Sequence, residues 1–327
     1  METLIIQLHD STNEIIFLTI SAIIGVIFCL WLIPKATDMM TDSAAGLAGK
    51  YWGRDKRTLV INSSTNNPEL FLMLLSLSIG RLGGIATPLG SNFANIYLMF
   101  LVAPLIVMGK WLLLGKTNKI KNFIYLAKKE KTIFVWHLLM SLVMFAFATT
   151  AYWSITGQSE FSSLPGATTP RSFPWLLLGS VLCLAGICLF FFYEGKLKKK
   201  RPELFEDIAE EEEEASWFKF FLGTAGLIGL CYVLNTMFVA CTTIYEGALS
   251  NVFGTAIFAG LHYFLGSFIS SLPETSVAVK NYERLTAPDL NTAMASASQS
   301  NMTNLAIACL GSLLAAGLLL AGFDYQL

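Results

Sequence analysis

Long apolar runs follow one another along the chain, separated by shorter polar stretches. The runs cover residues 15–34, 84–109, 132–153, 175–193, 217–244, 250–272 and 302–322. A helix of roughly 20 apolar residues is long enough to cross the hydrocarbon layer of a membrane. A soluble domain can bury one such helix in its core, but not so many, so the pattern predicts an all-α polytopic membrane protein.

The composition agrees with this prediction. Of the 327 residues, 54% are hydrophobic and only 14% are charged, whereas soluble domains carry roughly 25% charged residues. The formal net charge of -1 gives no indication of a charged partner. We therefore expect a lipid bilayer as the surroundings of the chain and no nucleic-acid partner.

The basic residues indicate how the chain crosses the membrane. A further span is expected around Pro68, which makes eight spans in total. With eight crossings, all lysines and arginines except Arg81 and Arg171 fall on one side, in loops or at helix ends. The positive-inside rule makes that side cytoplasmic and places the N-terminus and the C-terminal end outside. Because the N-terminus lacks the basic start of a signal peptide, residues 15–34 are predicted to be a retained first helix. A bacterial inner membrane and a eukaryotic membrane fit this pattern equally.

A charged stretch divides the chain into two parts. Residues 195–216 are basic first and acidic afterwards, which is typical of a solvated linker. We predict a cytoplasmic linker between a first membrane unit at 1–194 and a second at 217–327. The adjacent glutamates Glu210–Glu214 lack the alternating ligands and the turn glycine of a calcium-binding loop.

Each of the two parts carries a similar pair of polar motifs. A hydroxyl-bearing residue and a polar residue precede a Pro-Glu pair, and Ser-Asn-x-x-Asn follows on the next span. The residues are Thr65, Asn66, Pro68, Glu69, Ser91, Asn92 and Asn95 in the first part, and Ser270, Ser271, Pro273, Glu274, Ser300, Asn301 and Asn304 in the second. The first copy is entered from the cytoplasmic side and the second from outside. The copies are therefore predicted to be inverted repeats, a plan that recurs in transporters with a site near the membrane midplane.

The motifs combine a helix-breaking proline with an acidic residue inside an apolar segment. Pro68 and Pro273 lack a backbone N–H, so each helix is predicted to open there and to free carbonyl oxygens as cation ligands. Glu69 and Glu274 add negative charge, which is costly in a membrane unless a partner, a cavity or a cation faces it. Further neutral oxygens come from Ser91, Asn95, Ser300 and Asn304. An all-oxygen cage with two carboxylates suits a hard divalent cation such as Ca²⁺.

Each of these features alone also has a structural explanation. Kinked helices are common in membrane proteins, and serine and asparagine often form hydrogen bonds between helices. Two matched sets in opposite orientation favour a functional site. The histidines His137 and His262 are predicted to be structural. No nucleophile–base pair, metal triad or phosphate-binding loop indicates an enzyme.

The two motifs resemble the alpha repeats of the sodium/calcium exchanger membrane region, a family of the cation/Ca²⁺ exchanger superfamily. That family carries Gly-Thr-Ser-Leu-Pro-Glu, followed by Gly-Ser-Asn-x-x-Asn or Gly-Ser-Asn-x-x-Asp. The chain keeps Ser271-Leu272-Pro273-Glu274 in its second repeat, and Gly90-Ser91-Asn92 with Asn95 in its first. The resemblance covers about residues 13–322. It implies an inverted-repeat fold of ten helices of which the chain lacks the last two, so either the sequence is truncated or another subunit, such as a second copy, covers that face.

The resemblance also implies a Ca²⁺ antiporter that works by alternating access, with the first and sixth helices sliding past the core. Glu69 and Glu274 would be the central Ca²⁺ ligands, with Thr65 and Ser270 at the same site. The positions of the coupling ion would be lined by Asn66, Ser91, Asn95, Ser271, Ser300 and Asn304. Asn66 replaces a serine that is usual in the family, and Asn304 replaces an acid that many members have. No resident cofactor is implied, because the ions are substrates.

The identity of the coupling ion stays open. One Ca²⁺ neutralises two ionised glutamates, and so do two Na⁺ or two H⁺. The family motif favours Na⁺, because the sequence Gly-Asn-Ala-Thr-Glu of proton-coupled relatives is absent. The alternatives are a Ca²⁺/H⁺ exchanger, an exchanger of another divalent ion such as Mg²⁺ or Mn²⁺, and a transport-inactive membrane sensor or interaction protein.

Overall fold

The structure, a computed structural model, is all-helical in the part that it describes. It describes residues 2–53, 56–78, 80, 82–156, 172–205, 215–245, 247–248, 251 and 268–323. The helices are α1 Glu2–Ser11, α2 Glu14–Tyr51, α3 Arg57–Ser64, α4 Asn67–Ser78, α5 Gly83–Tyr97 with its continuation Leu98–Val102 and Ala103–Leu113, α6 Thr117–Lys129, α7 Lys131–Thr156, α8 Phe173–Lys200, α9 Trp217–Ile244, α10 Leu272–Tyr282 and α11 Ala287–Leu320.

Six helices of the described residues are long and apolar enough to cross a membrane, namely α2, α5, α7, α8, α9 and α11. Large apolar side chains point outwards from them, with Leu30 76%, Leu113 91% and Phe218 74% exposed. Such surfaces are tolerated where hydrocarbon rather than water surrounds a helix. These helices indicate a multi-pass membrane protein, as predicted. The predicted span 250–272 lies largely outside the described residues.

Two helices begin or end far from the bounds of their apolar runs. Helix α2, which contains the first predicted span, continues through Pro34 to Tyr51. A π-helical turn at Phe28–Leu32 directly precedes that proline, and a widened turn accommodates a residue that cannot donate a backbone hydrogen bond. The last helix already begins at Ala287, within a polar stretch. Hydropathy misses this stretch because its serines and asparagines are buried by hydrogen bonding to other helices, rather than by apolar packing.

The predicted linker is ordered in its first part. Helix α8 extends to Lys200 and a short 3-10 turn follows at Pro202–Leu204. Arg201 donates to Glu130 at 3.0 Å and also contacts Glu203. Leu204 is buried, and its carbonyl oxygen accepts a hydrogen bond of 3.3 Å from Asn291. Residues 195–205 therefore belong to the folded body, while Glu210–Glu214 lie outside the described residues.

Helix α11 lies at the centre of the structure. It contacts α3, α4, α5, α7, α8 and α10, and its side chains are buried along most of its length. Both Pro-Glu motifs therefore lie on helices that pack against α11, namely α4 and α10. Helix α5, which carries the first Ser-Asn-x-x-Asn motif, packs against α11 as well, and α11 carries the second. Helices α2 and α9 pack against each other through a separate apolar cluster that includes Met40 and Leu227.

Gly223 sets the distance between α2 and α9. A Cβ atom added at this glycine would lie 2.7 Å from the backbone nitrogen of Met40 and 3.0 Å from its Cα. Because backbone cannot move aside as a flexible side chain can, we expect Gly223→Ala to destabilise the protein by about 1–3 kcal/mol. Thermal unfolding of the purified protein measures this loss.

The matched control is Gly229→Ala on the same helix, where an added Cβ meets no atom within 4 Å. We expect this variant to unfold at the wild-type temperature or slightly above it, because alanine favours a helix over glycine by about 1 kcal/mol. Equal melting temperatures for the two variants would contradict the close packing of α2 on α9.

Candidate functional site

Two helix interruptions bring the Pro-Glu motifs into the interior. Helix α3 ends at Ser64, Thr65 and Asn66 form a turn, and α4 begins with Pro68 and Glu69 in its first turn. In the second motif, residues 268–270 are helical, Ser271 forms a turn, and α10 begins with Pro273 and Glu274 in its first turn. A proline fits the first turn of a helix because no backbone donor is needed there. The same location puts both carboxylates at the positive end of a helix dipole.

The two glutamates are buried and close enough to interact. Glu69 is 0% exposed and Glu274 is 1% exposed, and the two carboxylates lie near enough to repel each other when both are ionised. Among the described residues, neither carboxylate forms a salt bridge with a lysine, arginine or histidine. The site thus concentrates negative charge without a basic side chain to compensate it.

Hydroxyl groups link the two motifs to each other. The hydroxyls of Ser91 and Ser270 are 2.8 Å apart and share a hydrogen bond, and Ser270 also lies beside Glu69. Ser300 lies between Asn66 and Glu274, with its hydroxyl 2.9 Å from Asn66 Oδ1 and 3.3 Å from Glu274 Oε1. Thus each second-helix serine contacts the helix interruption of the other half.

A reciprocal pair of amide contacts joins α5 to α11. Asn95 donates from Nδ2 to Asn301 Oδ1 at 3.0 Å, and Asn304 donates from Nδ2 to Asn92 Oδ1 at 3.0 Å. In the sequence motif Ser-Asn-x-x-Asn, Asn95 corresponds to Asn304 and Asn92 corresponds to Asn301. Each half therefore gives its last asparagine as the donor and its first asparagine as the acceptor.

Several buried oxygen atoms at the centre accept no hydrogen bond of normal geometry from the described residues. They are both carboxylate oxygens of Glu69, Oε2 of Glu274, Oγ of Ser271, Oδ1 of Asn95 and Oδ1 of Asn304. Buried polar atoms are nearly always hydrogen-bonded in folded proteins, so this set requires an explanation. Nδ2 of Asn92 is a buried donor without a partner in the same region.

All of the predicted site residues are buried, and the contacts between the two motifs bring most of them together. Besides the three serines described above, Thr65 and Asn66 also have protein partners that use the atoms a cation would need. Thr65 donates its hydroxyl to the carbonyl of Asn62 at 2.8 Å, and it also lies beside Glu274. Asn66 donates its amide to the same carbonyl at 2.9 Å while its Oδ1 accepts from Ser300. These two residues therefore shape the interruption as well as contribute oxygens.

Sequence reasoning missed a second layer of polar residues behind the motifs. Asn62, Gln299 and Glu194 are joined by side-chain hydrogen bonds of 2.8 Å. His137, predicted to be structural, lies 2.8 Å from Ser298 and 2.9 Å from Asn291 through its two ring nitrogens. His262 lies outside the described residues. Asn62 and Gln299 could have been noticed in the sequence as polar residues within or next to apolar segments. The sequence gives no indication that they contact each other.

The chemistry of the centre is that of oxygen ligands. Among the described residues, no group of three or more His, Cys, Asp or Glu side chains could hold a metal ion. The unpartnered atoms instead combine two carboxylates with amide and hydroxyl oxygens. Such a set suits hard cations, which prefer oxygen to nitrogen or sulfur.

Comparison of the chain with protein-family models, with curated proteins and with solved structures found no match. The resemblance to the sodium/calcium exchanger family therefore stays a prediction from short motifs.

Proposed function

We propose that the chain is a secondary active antiporter that exchanges Ca²⁺ for Na⁺ or H⁺ by alternating access. The site is built around Glu69 and Glu274 near the membrane midplane. The observation that carries the proposal is the set of buried oxygen atoms that lack a donor, with Glu69 and Glu274 at its centre. Oxygen atoms with a purely structural role would be paired in permanent hydrogen bonds. Oxygen atoms that bind a transported cation have no such partner when the cation has left.

The charge of the site supports the same conclusion. An isolated carboxylate is costly to bury, and two carboxylates that repel each other are more so. Since no described basic side chain pairs with either, cations or protons must supply the compensating charge. A single Ca²⁺ neutralises both glutamates, and its preference for six to eight oxygen ligands matches the surrounding amides and hydroxyls.

The reciprocal amide contacts support an inverted repeat. Asn95 and Asn304 occupy equivalent motif positions, both donate to an asparagine of the other half, and both keep an unpartnered Oδ1. A pseudo-two-fold axis between α5 and α11 would produce such equivalence. Sites at the interface between inverted repeats are accessible from either side when one unit moves against the other.

Helices α2 and α9 are the candidates for the moving unit. Asn67, next to the first interruption, contacts Met40 Sδ of α2 at 3.6 Å and Thr224 Oγ1 of α9 at 3.3 Å. Cys231 of α9 lies near both glutamates. The pair thus covers the site from one flank, largely through apolar packing, and sliding of such a surface breaks few hydrogen bonds.

The charge balance predicts electroneutral exchange. If two glutamates alone set the charge of the site, one Ca²⁺ exchanges for two Na⁺ or two H⁺, and a third monovalent ion would enter a net-positive site. We expect Ca²⁺ uptake into proteoliposomes under an outward Na⁺ gradient or, separately, an outward H⁺ gradient. Uptake should require one of these gradients, and its rate should not change when a K⁺ diffusion potential is imposed.

Other outcomes of this experiment separate the alternatives. Uptake that accelerates strongly at inside-negative potential would contradict the two-for-one exchange and indicate a further charge in the site. Uptake of Mg²⁺ or Mn²⁺ but not Ca²⁺ would change the substrate and keep the mechanism. Folded protein that binds Ca²⁺ but moves none under either gradient would overturn transport in favour of a membrane sensor.

A further inference from the structure

A third carboxylate approaches the site from α8. Glu194 is half-buried near the end of that helix. Its Oε1 accepts a hydrogen bond of 2.8 Å from Gln299 Nε2 on α11. Neither of these residues belongs to the two sequence motifs, and neither has a part in the cation cage described above.

A chain of hydrogen bonds connects Glu194 to the first helix interruption. Gln299 Oε1 accepts from Asn62 Nδ2 at 2.8 Å, and Asn62 Oδ1 accepts from Ser296 at 3.1 Å. The backbone carbonyl of Asn62 in turn accepts from the side chains of Thr65 and Asn66. Asn62 therefore fixes the two residues that form the turn between α3 and α4.

Glu194 determines which atoms donate and which accept along this series of hydrogen bonds. A primary amide has one donating end and one accepting end, whereas an ionised carboxylate only accepts. With the carboxylate of Glu194 at one end, Gln299 must direct its Nε2 outwards and its Oε1 towards Asn62. Asn62 must then direct its Nδ2 towards Gln299, which leaves its Oδ1 for Ser296. Reversal of either amide would bring two donors or two acceptors together.

We propose that Glu194 is a positioning residue for the cation site. Through Gln299 and Asn62 it holds the turn at Thr65 and Asn66, and Asn66 Oδ1 orients the hydroxyl of Ser300 beside Glu274. The inference rests on the proposed function, because it assigns Glu194 a part in cation binding. Glu194 itself does not contact the ion; it orders the oxygens that do.

The test compares variants that keep or remove the acceptor at position 194. Glu194→Gln keeps an oxygen that can accept from Gln299, so we expect a Ca²⁺ dissociation constant within about twofold of wild type. Glu194→Leu is similar in size but has no acceptor. We expect it to weaken Ca²⁺ binding by about threefold to tenfold, as the loss of one orienting hydrogen bond does. Calorimetric titration of the purified full chain with Ca²⁺ measures both.

A charge-conserving exchange of the two residues provides the rescue. Gln299→Glu alone places a second carboxylate against Glu194 and is expected to weaken binding at least as much as Glu194→Leu. The double variant Glu194→Gln/Gln299→Glu reverses the donor at the outer hydrogen bond but restores both bonds and keeps the orientation of Asn62, since the carboxylate introduced at position 299 accepts both from the amide introduced at position 194 and from Asn62. Binding should therefore return towards the wild-type value, which a general loss of packing would not allow.

Hydrogen exchange separates this proposal from the proposed function. In cation-free protein, backbone amides at 60–70 should exchange faster in Glu194→Leu than in wild type, and at the wild-type rate in the double variant. Wild-type protein that binds no Ca²⁺ would overturn the proposed function, and the exchange rates would still decide the role of Glu194. Unchanged binding and unchanged exchange in Glu194→Leu, or no rescue in the double variant, would overturn the positioning role.

Discussion

Replacement of Glu69 or Glu274 by glutamine is expected to abolish Ca²⁺ uptake and, in the same variants, to raise the thermal stability of the cation-free protein. Glutamine has nearly the same shape as glutamate but carries no charge. It therefore removes a charged ligand. Taking the contact to be worth about as much as a hydrogen bond to a charged group, about 1.5–3 kcal/mol, we expect Ca²⁺ binding to weaken by about tenfold to hundredfold. Glutamine also removes the repulsion between two buried carboxylates that lack a basic partner among the described residues.

Two measurements test this opposition between binding and stability. Ca²⁺ uptake into proteoliposomes reports transport, and the melting temperature in a chelator reports the stability of the empty site. In wild type, Ca²⁺ should raise the melting temperature, because a ligand at 100 times its dissociation constant stabilises the folded state by about 2.7 kcal/mol. This shift should be small or absent in both variants.

Glu203→Gln is the matched control for these variants. Glu203 undergoes the same chemical change, but it is an exposed residue that pairs with Arg201 outside the membrane helices. Surface ion pairs contribute about 0–1 kcal/mol, so uptake and the Ca²⁺-dependent shift should both be retained. Uptake that persists unchanged in Glu69→Gln and in Glu274→Gln would mean that the transported ion binds elsewhere.

Much of the site follows from the sequence because its signals are local. A proline followed by a glutamate inside an apolar segment predicts a helix interruption with a buried carboxylate, and both interruptions occur. The first of them lies at Thr65 and Asn66, just before Pro68 and not at it. Proline is compatible with the first turn of the following helix, so the chain turns ahead of it.

The remaining features depend on contacts between distant segments. The start of α11 at Ala287 was not predicted, since Asn291 and Ser298 look polar along the chain but are paired with His137 in the fold. The contact between Asn62 and Gln299 spans much of the sequence, and no spacing rule relates the two residues. Hydropathy measures the preference of a single residue for lipid or for water. It therefore misses these residues, which are stabilised by hydrogen bonds to one another.

Asn301→Leu is expected to cause a large loss of stability. Asn301 is fully buried and uses both ends of its side chain. Its Oδ1 accepts from Asn95, and its Nδ2 donates to the carbonyls of Asn92 at 3.0 Å and Ser141 at 3.3 Å. Leucine fills the space but satisfies none of these groups. Asn95 Nδ2 keeps its hydrogen bond of 3.0 Å to Ser300, so the loss comes from the three hydrogen bonds removed with Asn301. Since each contributes about 0.5–1.5 kcal/mol, we expect a loss of about 2–4 kcal/mol in chemical or thermal unfolding.

Asn92→Leu is the informative comparison, because Asn92 occupies the equivalent position in the first half. Its Oδ1 accepts from Asn304, while its Nδ2 has no acceptor among the described residues. This variant leaves one donor unpaired and removes another that was unpaired already, so its loss should be clearly smaller than that of Asn301→Leu. Equal losses in the free energy of unfolding would mean that Asn92 and Asn301 stabilise the protein to the same extent. A larger loss for Asn301→Leu would mean that α11 is held more firmly than α5. Asn301 forms hydrogen bonds to both α5 and α7, so we expect α5 to be the more easily displaced of the two helices.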